Sequence, residues 1–200
     1  MKSLLTFVCV LLACAAGPAV AVPIVYTADL LGSNEEPANA SPGTGTARVT
    51  IDAAAHSMRV EVTFTGLLGT STASHIHVIN GPGDANTSDT LGPVATTTPS
   101  FVGFPLGVTS GSMDQTYDTL FTTSYRAGFI TDSGGTVALA EAALFSGISS
   151  GRAYLNIHST VVPGGEIRGF LRPVAVPEPA SLWLLGTGVL VLVARRRRMS

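Results

Sequence analysis

Two of the chain's four histidines stand two residues apart, His75 and His77 in Ser74-His75-Ile76-His77-Val78-Ile79. On a strand, side chains at i and i+2 share a face about 6.6 Å apart at the backbone. Their imidazoles can then close on one ion at nitrogen–metal distances of about 2.0–2.1 Å. A third ring, His158 in Tyr154-Leu155-Asn156-Ile157-His158, would come from another strand. Three imidazoles of this kind suit a single copper or zinc ion. The structural alternative has the same rings on a polar strand face, bonding to loop backbone around Asn80-Gly81-Pro82-Gly83-Asp84.

Other residues offer weaker chemistry. Asp84, Asn86 and Asp89 carry oxygen donors in one loop but lack the full EF-hand pattern for calcium. Glu166 and Arg168 share one strand face and read as an exposed ion pair, worth about 0–1 kcal/mol, rather than as catalytic groups. His56 falls in a turn and reads as exposed. The chain has no P-loop or H-E-x-x-H, and no serine or cysteine in a recognised nucleophile pattern beside a histidine. The expectation is a protein without catalytic residues.

The elements that must position the histidines are strands. In Met58-Arg59-Val60-Glu61-Val62-Thr63-Phe64-Thr65 apolar and polar residues alternate, so one face is buried and the other wet. The run from Thr46 to Asp52 precedes it through Ala53-Ala54-Ala55-His56 and completes a hairpin. Ile24 to Leu30, His75 to Ile79, Arg152 to Ser159 and Glu166 to Leu171 are further strands, with Gly, Pro, Ser and Thr between them. Val137 to Phe145 is rich in helix formers, so one short helix is expected near 137–146, starting after Asp132-Ser133 and stopping at Gly147. The fold class is mostly β, an antiparallel sandwich. By alternation His75 and His77 share a face opposite Ile76 and Val78, while Tyr154, Asn156 and His158 oppose Leu155 and Ile157. The histidine faces are the more polar ones. If Pro163-Gly164-Gly165 is a three-residue hairpin loop, Val161 faces Ile167, Ile157 faces Leu171 and His158 lies beside Phe170.

Both ends read as addresses. Lys2, the apolar run from Leu4 to Gly17 and Ala19-Val20-Ala21 form a secretory signal peptide over 1–21. Leu-Leu-Ala-Cys14 loosely resembles a lipobox, but Leu12 fits it badly and the A-x-A site fits better. Cys9 and Cys14 both lie in the leader, so the exported chain has no disulfide. At the other end Ala180 to Ala194 is free of charge, and Arg195, Arg196, Arg197 and Arg198 follow as a stop-transfer cluster that stays cytoplasmic. The domain between, 22–173, is about 150 residues, enough for one core. It holds twelve acidic side chains against six arginines and no lysine, a net charge of −6. That surface argues against nucleic acid and anionic lipid as partners.

Pro177-Glu178-Pro179, the hydrophobic segment and the arginine cluster, over 174–200, resemble the PEP-CTERM sorting signal of Gram-negative bacteria. The resemblance implies recognition by exosortase, a membrane transpeptidase. It further implies insertion in the inner membrane before processing, arrival at the cell surface or extracellular matrix, and an exopolysaccharide context. The run Ser74-His75-Ile76-His77 and the block Tyr154-x-Asn156-x-His158…Pro163-Gly164-Gly165-Glu166-Ile167-Arg168-Gly169 resemble the CHRD domain, over about Thr27 to Leu171. That family implies a β-sandwich-like extracellular module. The histidine pattern is also similar to the copper ligands of copper/zinc superoxide dismutase. The chain lacks that enzyme's further histidines and its disulfide, which argues against dismutase activity. Two functions follow: a non-enzymatic structural or adhesive surface module, or a mononuclear copper- or zinc-binding protein using His75, His77 and His158.

Overall fold

A computed structural model describes residues 22–84 and 90–174. The expected signal peptide, the sorting motif and the arginine-stopped segment lie outside these residues, as do Asn86 and Asp89 of the acidic loop. Among the described residues no helix is long and apolar enough to cross a membrane.

Strands dominate where alternation predicts them. β1 (Ile24–Leu31), β2 (Thr44–Asp52), β3 (Ser57–Thr65), β4 (Ser71–Val78), β6 (Ala153–Ser159) and β7 (Ile167–Phe170) match expectation. β5 (Gly111–Asp118) and the short β8 (Arg172–Pro173) are additional. All pair antiparallel in one sheet of order β4-β6-β7-β1-β2-β3-β5, with β8 also on β1. The sheet curls into a half-barrel. One buried cluster holds Val49, Val60 and Met58 of β2 and β3 together with Ile76, Leu155, Ile157 and Ile167 of β4, β6 and β7.

The β2–β3 hairpin forms as read, in register Asp52 to Ser57 and Thr44 to Thr65. Asp52 Oδ1 accepts from the amides of Ala54 and Ala55 at 3.1 and 3.0 Å, which sets the turn. His56 closes it with φ of 50°.

The β6–β7 hairpin has the expected faces and a different register. Ile157 pairs with Ile167 and Tyr154 with Phe170. The three-residue loop is therefore too short: Ser159 ends the strand, because its Oγ accepts from the amides of Val161 and Val162 and turns the chain early. The displacement is even, so the apolar side chains stay on the core face.

The expected helix is α2 (Val137–Ser149), preceded by one turn of helix, α1 (Ala127–Asp132). Thr136, not Asp132 or Ser133, caps α2, accepting from the amide of Leu139 at 3.3 Å. Gly147 does not stop it. A Cβ there would stand 2.5 Å from Val78 Cγ1, so the glycine is what lets α2 lie against β4. The chain turns out of the helix at Gly151, where φ is 70°.

A candidate three-histidine metal centre

β4 is an edge strand, and its free edge is covered. The stretch from Gly92 to Phe101 runs along it, Ala95 N donating to Ile76 O at 2.9 Å and Phe101 N to Ser74 O at 3.1 Å. The histidine face is consequently not a wet face. His75 is only 7% exposed, and His77 and His158 are half-buried.

The structure brings the three rings together. One nitrogen of each lies within 4.8 Å of one nitrogen of each of the others. Ring centroids are 5.7 Å apart for His75–His77, 5.0 Å for His75–His158 and 6.3 Å for His77–His158. His75 and His77 come from β4 as neighbours but one, and His158 comes from β6, opposite Ala73. The fourth, His56, lies apart, its Nδ1 3.0 Å from the Glu141 carboxylate.

Each ring is held by one backbone carbonyl. His75 Nε2 donates to Pro99 O at 2.6 Å, His77 Nδ1 to Gly92 O at 2.8 Å and His158 Nδ1 to Pro163 O at 2.9 Å. A carbonyl only accepts, so the proton of each neutral imidazole sits on that nitrogen. The other nitrogen of each ring keeps its lone pair. Those three atoms, Nδ1 of His75, Nε2 of His77 and Nε2 of His158, are buried and have no hydrogen-bond partner. A buried acceptor left alone costs about 1–3 kcal/mol. Three in one cluster are what a metal ligand set needs: lone pairs available, tautomers fixed from behind.

Electrostatics favour the neutral form. Burial pushes His75 down to about 4, with a contribution from neighbouring His158 and against the pull of the Pro99 carbonyl. Burial likewise takes His77 to about 4 against the Gly92 bond, helped by His75, His158 and Arg168. Burial lowers His158 too, opposed by Pro163.

Around the rings lies a network that the sequence pattern did not indicate. Tyr154 stacks on His77, and the Arg168 guanidinium lies 4.8 Å from the Tyr154 ring centroid. Arg168 is 3% exposed and pairs with Glu35, 7% exposed, at 3.7 Å. Its Nε also donates to Asn34 O and its Nη1 to Thr90 O. Asn156 Nδ2 donates to Glu35 Oε1 at 2.9 Å. Burial raises the Glu35 carboxyl to about 7, although Arg168 and the Glu36 amide pull it down. The expected exposed Glu166–Arg168 pair is thus corrected. Glu166 is fully buried and accepts from Ser41 Oγ at 2.6 Å, Leu68 N at 2.5 Å and Gly69 N at 3.4 Å. The loops carrying these donors close over β7, and no pattern within β7 itself could reveal that.

The comparisons with known proteins agree with this architecture. A family model for the CHRD domain matches residues 26–171, and one for the PEP-CTERM protein-sorting motif matches residues 175–198. No curated protein and no solved structure matches the chain significantly. The sorting motif is an exosortase recognition signal, which implies export with a membrane-anchored C-terminal signal. With most of its length covered by the first match, the chain belongs to the CHRD domain family.

Proposed function

We propose that this exported domain is a metal-binding module, in which His75 Nδ1, His77 Nε2 and His158 Nε2 hold one copper or zinc ion. The observation that carries the reading is the set of three buried, unpartnered nitrogens whose opposite ring atoms all donate to backbone carbonyls. Bond lengths of about 2.0–2.1 Å require ligand atoms about 3.5 Å apart. One nitrogen of each ring already lies within 4.8 Å of one nitrogen of each of the others, a gap that small ring rotations close. On this reading all three rings are assigned to holding the ion. With metal on one nitrogen and a carbonyl on the other, no ring is left to move a proton.

Processing by exosortase would deliver the module to the surface or matrix, where a structural or adhesive role among exopolysaccharide is the alternative use of the same domain. The metal reading is preferred because its ligands are built. Elemental analysis of the purified chain tests it. One copper or zinc per chain is expected, with affinity at least ten-fold lower in His75→Ala, His77→Ala and His158→Ala. A chain that takes up neither ion when both are supplied ends the proposal.

A further inference from the structure

We propose that the His75–His77–His158 centre is built for a monovalent soft cation, cuprous copper, and discriminates against zinc(II). This rests on the metal-binding reading of the same three side chains.

Charge is the first discriminator. The cost of burying an ion rises with the square of its charge, so a dication in a dry site needs anionic ligands that a monocation does not. Among the described residues the cluster contains three histidines and neither carboxylate nor thiolate. The rings are neutral, since each proton is committed to a carbonyl, and the inward nitrogens are closed to solvent. The buried charge nearest in the stack is positive: Arg168 lies over Tyr154, and Tyr154 lies over His77. Glu35, 3.7 Å from Arg168, offsets at most that one positive charge and leaves no surplus anion for the ion.

Coordination number is the second. Zinc held by three protein ligands keeps a water or substrate in its fourth position. The inward nitrogens have essentially no accessible surface through which water would reach an ion between them. Cuprous copper, equally closed-shell but singly charged, is satisfied by three nitrogen donors in a plane without a fourth ligand. The long cover from Gly92 to Phe101 supplies two of the three orienting carbonyls and shuts the site on that side.

The test is a paired chelator competition on the purified full chain. Cuprous copper is presented on bicinchoninate under anaerobic, reducing conditions, and zinc on a chromophoric pyridylazo chelator. One equivalent of copper is expected to move to the protein, with an affinity at least 100-fold above that for zinc. The competition is run on the chain carrying Cys9→Ser and Cys14→Ser, so that no thiol takes copper, and on that chain with His77→Ala or His158→Gln added. Zinc bound as tightly as copper by the chain with all three histidines, and lost in the histidine variants, overturns the selectivity while leaving the metal site standing. Retention of both ions by their chelators overturns the site itself. The preference is read on the Cys9→Ser, Cys14→Ser chain with all three histidines present, so a histidine variant that fails to fold does not obscure the outcome.

Discussion

His77 and Tyr154 face each other across β4 and β6 and lie ring on ring, centroids 4.8 Å apart and planes 9° from parallel. Strand pairing alone puts the two side chains side by side. The Gly92 carbonyl then fixes His77 rotation in the plane that Tyr154 defines. Tyr154 is in this sense a positioning residue for a proposed ligand.

Its replacement separates ring from hydroxyl. Tyr154→Phe keeps the stacked surface and is expected to leave copper affinity within a few-fold of wild type. Tyr154→Ala frees the imidazole and is expected to weaken binding about 10–100-fold, the usual scale for outer-sphere partners. Equal affinities in the two variants, measured by chelator competition, would remove the stack from the account.

Glu166 ties β7 to the loops around Ser41 and Leu68. Burial alone would raise its carboxyl, but the bonds from Ser159, Ser41, Leu68 and Gly69 together bring it below its ordinary value of 4.5. A carboxyl lowered in the folded state adds stability above its unfolded value, and that stability disappears as pH falls through the folded one. Glu166→Gln replaces one accepting oxygen by an NH2 group that faces a donor and should cost about 2–3 kcal/mol at pH 7. Urea midpoints of the two proteins should converge toward pH 3. A gap independent of pH contradicts the assignment.

Glu35 has the opposite sign. Its folded value, raised to about 7, exceeds its unfolded 4.5. The stability it contributes is complete below pH 4.5 and is lost as pH climbs through 7. Relative to wild type, Glu35→Gln should therefore gain up to about 3 kcal/mol between pH 5 and pH 8. Parallel stability curves over that interval would show that the carboxyl is ionised throughout.

Gly147 reports on how α2 meets the sheet. Alanine there improves helix propensity by about 1 kcal/mol, but its methyl would meet Val78 Cγ1 at 2.5 Å. Overpacking costs about 1–3 kcal/mol, so Gly147→Ala should be less stable in urea. Combining it with Val78→Ala should cost less than the separate losses together. A more stable Gly147→Ala protein would mean the helix rides higher on β4.

The strands and the histidine trio were readable because alternation is local: His75 and His77 share a face by spacing, and His158 joins them by its own strand's parity. β5 was not readable. In Gly-Ser-Met-Asp-Gln-Thr-Tyr-Asp only Met113 is buried, as suits an edge strand with polar residues on both faces. The one-turn α1 buries only Phe129 and has too few residues for a period. The wet-face expectation failed because the cover over β4 begins at Gly92, fifteen residues beyond His77. Glu35 was invisible for a similar reason. It reaches Arg168 only because Leu31 pairs with that residue across β1 and β7, more than a hundred positions away in the chain.

Where the described chain starts and stops has a mechanical corollary. Val174 N donates to Val25 O at 2.8 Å, and Tyr26 pairs with Pro173, so the first and last strands are zipped together. The described chain therefore enters and leaves the domain at a single corner, like the two ends of a drawstring. Every pairing of the described sheet is thus complete by Val174, where the hem closes on the strand that began it.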